Sequence, residues 1–352
     1  MILIVLAVSF TACQKDEHFA GEPGVREAVP EPTPISLEIP VGFPSHIVAS
    51  NNPLTLEGVE LGRKLFHDPI LSKNNQQSCA SCHDQKIAFT DDARFSIGVE
   101  GKPGTRNSMA LMNLAWRRNF FWDGRANSLE EQAFDPITDP LEMNTTWPEV
   151  EQKLNDHPEY PELFRLAFGV DEIDSNVVVK AIAQFERTLI SGNSKFDKHL
   201  QGQNVFNDLE REGFELFVSE EGDCFHCHNG VFMSDNTFRN NGLQFPIEDE
   251  GLGAVTGRDR DKGKFIVPTL RNVEFTAPYM HDGRFETLRE VVDFYSDNVN
   301  QNSPNVDPVM LKVNRPGGSL GLTDRQKDAL VAFMKTLSDE EFLNDPRFSN
   351  PH

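Results

Sequence analysis

Apolar residues along this chain recur at helical spacing in several short segments, and the strict alternation that marks strands is scarce. Thr55 to Phe66 is one such segment. Ser175 to Ile190 is the longest, with Val178, Ile182, Phe185 and Leu189 on one face. Polar punctuation marks further starts at Thr146-Trp147-Pro148-Glu149, Thr287-Leu288-Arg289-Glu290 and Thr323-Asp324-Arg325-Gln326. Each sets a hydroxyl three residues before a Glu or Gln, the spacing at which the two side chains satisfy free backbone N–H groups at a helix start. The last of these opens a helix through Leu337. The pattern predicts a mainly α protein with long irregular connections.

The chain also repeats itself. Leu61-Gly62-Arg63-Lys64-Leu65-Phe66 is echoed by Glu212-Gly213-Phe214-Glu215-Leu216-Phe217. Arg106-Asn107, Asp123-Gly124-Arg125 and Ser128-Leu129-Glu130 are echoed by Arg271-Asn272, Asp282-Gly283-Arg284 and Thr287-Leu288-Arg289. Two copies of one unit account for this, with the boundary in the helix region Ser175 to Ser194. The expected domains are residues 46–185 and 186–345.

Inside each copy stands one short motif, Cys79-Ala80-Ser81-Cys82-His83 in the first and Cys224-Phe225-His226-Cys227-His228 in the second. Two thiols at that spacing can add across the vinyl groups of one haem, and the next histidine can ligate its iron. The pattern predicts two covalent c-type haems in two cytochrome c-like domains, with His83 and His228 as proximal ligands. Zinc binding and redox-dithiol chemistry are the other uses of a CxxC pair. The recurrence of the adjacent histidine in both copies favours haem.

Composition narrows the partners and the compartment. With 33 Lys and Arg against 55 Asp and Glu, the formal net charge is −22, which argues against nucleic acid and anionic lipid as partners. Four of the five cysteines belong to the two motifs, and the fifth is Cys13. Met1 to Ala12 is an apolar run too short to span a bilayer as a mature helix, and it reads as the core of an export signal within residues 1–20. Its end, Phe10-Thr11-Ala12-Cys13, resembles a bacterial lipoprotein signal, with Cys13 as the lipidated residue. Export to the periplasm or outer membrane, with an N-terminal lipid anchor, is the expectation. Residues 21–45 are rich in Pro and Glu and read as a semi-extended tether.

The sixth iron position decides the chemistry: filled, a haem transfers electrons, and open, it can activate peroxide. Peroxide activation also needs a group that moves a proton between the two oxygens. After Asp123-Gly124-Arg125 the first unit offers Glu130, Glu131, Gln132, Asp135 and Glu142. Thirteen residues from Asp123 stands Pro136, and thirteen from Asp282 stands Tyr295. Proline cannot ligate iron and tyrosine can, so the first iron is expected open and the second capped by Tyr295. Met280 and Met310 are rival ligands, and a half-buried aromatic packed with Val291, Val292 and Phe294 is the structural alternative for Tyr295.

Taken together these residues resemble the bacterial di-haem cytochrome c peroxidase family, which includes the MauG-type enzymes. The resemblance runs from about Leu56 to Leu337 and rests on Leu71-Ser72, Arg106-Asn107-Ser108, Phe121-Trp122-Asp123-Gly124-Arg125, Leu141-Glu142-Met143, Cys227-His228-Asn229-Gly230, Val267-Pro268-Thr269-Leu270-Arg271-Asn272 and Thr276-Ala277-Pro278-Tyr279-Met280-His281-Asp282-Gly283. It implies Trp122 as the electron relay between the haems. It also implies a calcium ion held at Asn107, Thr276 and Pro278, and Gln132 and Glu142 as distal groups of the peroxidatic haem, Glu142 moving the proton. The family often forms homodimers.

Two departures from the family pattern carry consequences. Members that need reductive activation close the first haem with a histidine, and the matching position here, in Ser96 to Gly101, is Val99. Members that draw on high-potential cytochromes cap the second haem with methionine where this chain has Tyr295, and an anionic oxygen ligand lowers the potential. The leading expectation is a peroxidase reducing hydrogen peroxide with electrons from a small redox protein such as cytochrome c. The alternatives are a MauG-like oxidase that modifies a partner protein and a non-catalytic electron carrier with both irons six-coordinate.

Overall fold

The computed structural model describes residues 30–47, 49–203, 205–312, 315 and 318–352. The export signal and Cys13 lie outside the described residues. The first half holds α1 (Leu56–His67), α2 (Leu129–Thr138), α3 (Trp147–Asn155), α4 (Tyr160–Phe168) and α5 (Ser175–Arg187). The second holds α6 (Lys195–Leu200), α7 (Asp208–Phe217), α8 (Leu252–Thr256), α9 (Leu288–Asp293), α10 (Asp324–Lys335) and α11 (Glu340–Asn344). Single 3-10 turns and long loops join them. The sheet content among the described residues is one antiparallel pair, β1 (Phe238–Arg239) with β2 (Phe265–Ile266). The chain is mainly α, as the pattern predicts.

The helix starts follow the sequence signals. Thr55 caps α1 by accepting the N–H of Gly58, and the boxes at Thr146, Thr287 and Thr323 all close reciprocally with Glu149, Glu290 and Gln326. The two halves then pack their helices in the same way. α1 crosses α5 at Gly62, where an added Cβ would lie 1.9 Å from the Ala181 carbonyl oxygen. α7 crosses α10 at Gly213, with the Ala329 carbonyl at the same 1.9 Å. Phe185 and Phe333 each flank the crossing, with their own Cβ atoms 2.9 Å from the added atom. The glycines of the two echoing hexapeptides are therefore what lets the backbones touch.

One part of the repeat is corrected by the structure. The residue equivalent to Asn272 is Asn113, where the letters alone pair it with Asn107. Asn113 and Asn272 both sit in the left-handed region, with φ of 55° and 56°. Each donates its backbone N–H to the last turn of the long helix region, Asn113 to Leu189 and Asn272 to Leu337. Each side-chain oxygen then accepts the N–H two residues further on, from Ser191 and Asp339. The matching role is a backbone geometry shared by Asn-containing turns, and the Arg-Asn letters do not encode it.

The chain crosses the expected division at residues 185 and 186 in two places. Phe342, Leu343 and Phe348 from the C-terminal end pack with Phe66, Phe89 and Phe185 of the first half. Arg63 holds this tail by donating to the carbonyls of Pro346 and Ser349. The part of the expected tether that is described is extended, and it lies on the folded body. Ile35 and Leu56 bond across to Leu54 and Thr33, and Phe43 sits edge-on between Trp116 of the first half and Phe232 of the second. No helix among the described residues is long and apolar enough to cross a membrane.

Placing a methyl group at either helix crossing forces two backbones apart. Gly62→Ala and Gly213→Ala should each lower stability by about 1–3 kcal/mol, as overpacking of a close contact does. Denaturant unfolding of the haem-loaded protein checks this, and unchanged midpoints would show that the crossings are loose.

Candidate functional site: two haem cavities

Each half closes around a cavity that its own side chains leave open. Both cavities are partly open to solvent. Cys79, Cys82 and His83 line the first, and Cys224, Cys227 and His228 line the second. One strip of chain walls both cavities: Asn107, Ser108, Met109, Ala110, Arg117 and Trp122 face each of them.

Local backbone geometry aims the histidines. Ala88 and Phe89 turn through positive φ, and the Phe89 carbonyl meets His83 Nδ1 at 2.8 Å. Met233, at φ 51°, presents its carbonyl to His228 Nδ1 at 3.1 Å. With Nδ1 donating to a carbonyl, Nε2 is the atom free to ligate. Burial holds both imidazoles below the usual histidine range, so each is neutral and carries a lone pair for a metal.

The same surroundings test which use of the cysteines fits. A redox dithiol needs a lowered thiol pKa. Here burial raises all four, with Cys224 pushed up to about 12 and Cys227 to about 11. A zinc site needs its ligand atoms gathered at one point. Among the described residues the convergent group of three metal-ligating side chains is Glu220, Asp223 and His226, which includes neither cysteine pair nor either proximal histidine. Two thiols spread along the wall of a large apolar cavity, with an imidazole beside them, fit a covalently attached haem.

α2 and the loop after it supply polar side chains to the first cavity. α2 presents Gln132 and Pro136, and the loop after it presents Glu142. A second loop clamps that loop in place. Val99 donates its N–H to the Glu142 carbonyl at 2.8 Å, and a Cβ on Gly98 would meet the Leu141 carbonyl oxygen at 2.0 Å. Val99 thus serves as backbone support, and its side chain is not among the cavity's lining. Burial pushes the Glu142 carboxyl up to about 7, with Asp139 and Asp135 adding to the rise and Arg125 opposing it. Such a group can both take and give a proton near neutrality.

In the second cavity the widened turn Phe294–Asn298, a single π-helical turn after α9, carries Tyr295 into the lining. Pro136 lines the first cavity and Tyr295 the second, each thirteen residues after the aspartate of its Asp-Gly-Arg turn. Asn241 donates its side-chain N–H to Tyr295 Oη at 3.0 Å and also reaches Met280 Sδ at 3.7 Å. Met310 lines the same cavity. Burial pushes the phenol up to about 12, and the bond from Asn241 opposes that rise. Of the two bonds that Asn241 makes to candidate ligands, the one to Tyr295 is the shorter.

Trp122 lies between the cavities. Its indole N–H donates to the Asn107 carbonyl at 2.8 Å, and its own carbonyl accepts from Ile266 of β2. Asn107 in turn donates its backbone N–H to His281 of the second half. Asn107, Thr276 and Pro278 all line the second cavity. The two Asp-Gly-Arg turns pack across the same divide. Gly124, at φ 72°, lies against the Phe238 ring, and Gly283, at φ 59°, lies against Arg94.

Three groups escape the sequence reading. Asn241 lies in a loop with no periodic pattern. Glu186 sits beside Phe185 on α5, where burial leaves its Oε2 without a partner and pushes its carboxyl up to about 8. A carboxylate next to the apolar face of a long helix is the signal that could have found it. Arg117, which lines both cavities, is the third: its Nε and Nη2 are buried with no hydrogen-bond partner among the described residues.

Glu142 should titrate close to neutrality. Since burial and two carboxylates raise its pKa, removing one of them with Asp139→Asn should move the titration to lower pH. Infrared difference spectra of the haem-loaded protein should show its protonated carboxyl band at pH 6 and lose it above pH 8, with the midpoint shifted down in the variant. A midpoint that stays in place would remove Asp139 from the effect.

Comparisons with known proteins agree with this geometry. A family model described as di-haem cytochrome c peroxidase matches residues 56–205. The cytochrome c551 peroxidase of Nitrosomonas europaea is 36% identical over 322 residues, covering 87% of this chain and 90% of that protein. The methylamine utilization protein MauG of Methylorubrum extorquens is 36% identical over 303 residues, covering 82% of this chain and 80% of that one. A crystal structure of a MauG-like protein associated with microbial copper homeostasis aligns with a TM-score of 0.81 at 34% identity, covering 90% of this chain and 99% of that chain. With two haem cavities walled by one strip and with relatives matching both halves, the chain belongs to the di-haem cytochrome c peroxidase family that includes MauG.

Proposed function

We propose that the protein reduces hydrogen peroxide to water with electrons from a small redox protein such as cytochrome c, using a peroxidatic site at His83 and an electron-transfer site at His228. The observation that carries this reading is the first cavity. It has a fixed proximal imidazole on its wall, no metal-ligating side chain at the Pro136 or Val99 positions, and a carboxyl poised near neutrality at Glu142. When bound, the two c-type haems supply the redox chemistry, passing two electrons to peroxide. Peroxide, two protons and two electrons then give two waters.

The chain's own residues manage the protons and the path. Glu142 takes the proton from the inner oxygen and returns it to the outer one, so that water leaves in place of hydroxide. Gln132 orients the peroxide from α2. Trp122 links the two cavities, and its bond to Asn107 keeps the ring in one orientation. Calcium at Asn107, Thr276 and Pro278 suits the oxygen chemistry that these groups offer, an amide oxygen and backbone carbonyls, with water completing the shell. Such an ion would pin the strip that carries Trp122. The division of labour follows the domains at residues 46–185 and 186–345.

Tyr295 favours a second reading, a MauG-like oxidase that holds two oxidising equivalents across both sites and spends them on a partner protein. An oxygen ligand steadied by Asn241 would depress the second site's potential and make electron uptake from a high-potential donor less favourable. Peroxidase chemistry ranks first because relatives matched over most of the chain, the Nitrosomonas europaea protein among them, are named cytochrome c peroxidases. Export with Cys13 as a lipid anchor completes the reading, supported by the c-type motifs and the N-terminal sequence; an intact Met1 in the mass of the mature protein would contradict it. A homodimer is the assembly that suits the family.

Stopped-flow mixing of the fully ferric protein with peroxide should give rapid reaction without prior reduction, followed by fast turnover with reduced cytochrome c. Replacing Glu142 with Gln should slow the peroxide step by about 10²–10⁴-fold, and an unchanged rate would remove Glu142 from the mechanism. A long-lived oxidised state that the donor barely discharges would establish the MauG-like reading. Tyr295→Met should raise the midpoint potential of the second haem and speed donor turnover, whereas identical redox titrations would show that Tyr295 is no ligand.

A further inference from the structure

The strip between the cavities carries one charge that the protein leaves unanswered. Arg117 lines both cavities, and its Nε and Nη2 atoms are buried without a hydrogen-bond partner among the described residues. These two nitrogens form the edge of the guanidinium whose N–H bonds run parallel, the edge that takes a carboxylate in bidentate fashion. The nearest interaction is with the Phe120 ring, 5.8 Å from the guanidinium carbon. Burial lowers the pKa to about 10, and no neighbouring charge opposes that fall.

Every other cation lining the cavities is matched. Arg106 pairs with Asp123 and Asp249, Arg125 with Asp123 and Asp135, Arg239 with Asp235 and Asp307, and Lys312 with Asp223. An arginine keeps its proton at all ordinary pH, so it cannot escape burial by becoming neutral. An unpaired buried cation is strongly unfavourable, and its partner must therefore arrive with whatever fills the cavities. Haem brings two propionate carboxylates on the edge away from its vinyl groups. Cys79, which would hold the vinyl edge of a haem in the first cavity, has Glu186 as its leading charged neighbour.

We propose that Arg117 is a shared counter-ion, taking a propionate carboxylate on its Nε–Nη2 edge and holding both haem sites under one positive charge. It is a positioning residue that couples the two redox centres electrostatically. A change of charge at this one point then moves both potentials in the same direction. The inference rests on the two-haem reading, and a haem content below two per chain would show that reading to be wrong before any potential is measured.

The test is a spectroelectrochemical titration of the haem-loaded protein and its Arg117→Gln and Arg117→Lys variants between pH 5 and 8. Loss of the cation favours the more positive, oxidised form, so both midpoint potentials should fall in Arg117→Gln. A propionate freed from its partner should also make the potentials pH-dependent across this range. In Arg117→Lys, which keeps the charge and loses the bidentate edge, the potentials should stay close to those of the parent. Resonance Raman propionate-bending bands should still shift in this variant, a readout that survives if Arg117→Gln fails to fold. Movement of a single potential would overturn the shared role, and unmoved potentials with unmoved propionate bands would overturn the pairing altogether.

Discussion

The indole N–H of Trp122 donates to the carbonyl of Asn107, and this bond closes a strip of chain that serves as a wall for two cavities at once. Much of the surrounding fold holds that strip. From the second half, His281 accepts the Asn107 N–H, and Ile266 donates to the Trp122 carbonyl. Arg106 ties the strip's start to Asp249 with two parallel bonds and to Asp123 with a third. The glycines of the Asp-Gly-Arg turns let each half approach the other closely on either side. A wall shared by two cofactors fixes their separation, and electron transfer between them depends on that separation.

Chemistry on either side of the wall is set by burial acting on different groups. It keeps the proximal imidazoles neutral and makes the thiols poor redox agents, both of which suit haem attachment. It raises Glu142 to the range where a carboxyl exchanges protons at neutral pH. Acting on Arg117, which cannot discharge, burial leaves a demand for an anion. One physical cause thus prepares ligands, an acid and a counter-ion.

The two halves share their framework and part company at the distal positions. Helix crossings at Gly62 and Gly213 and the left-handed turns at Asn113 and Asn272 are the same device used twice. Above the cavities, α2 runs on through Pro136, while α9 widens into a turn that brings Tyr295 inward. This divergence supports the proposed split into a peroxide-handling site and an electron-handling one.

The sequence by itself determined the helical class, the helix starts and the two haem motifs. These are local matters: side-chain periodicity, capping partners three residues apart and thiols two residues apart act within one or two turns of chain. The likeness to a known family carried Glu142, Gln132 and Trp122, and the structure places all three on the cavity walls. Tertiary structure alone decided that Asn113 answers to Asn272, that the C-terminal tail packs on the first half, and that Phe43 bridges the two. It alone showed that Asn241 reaches Tyr295 and that Arg117, lining both cavities, has no partner for Nε and Nη2 among the described residues. Those facts depend on which distant residues surround a group, and burial and partnership are properties of the folded chain that no local pattern records.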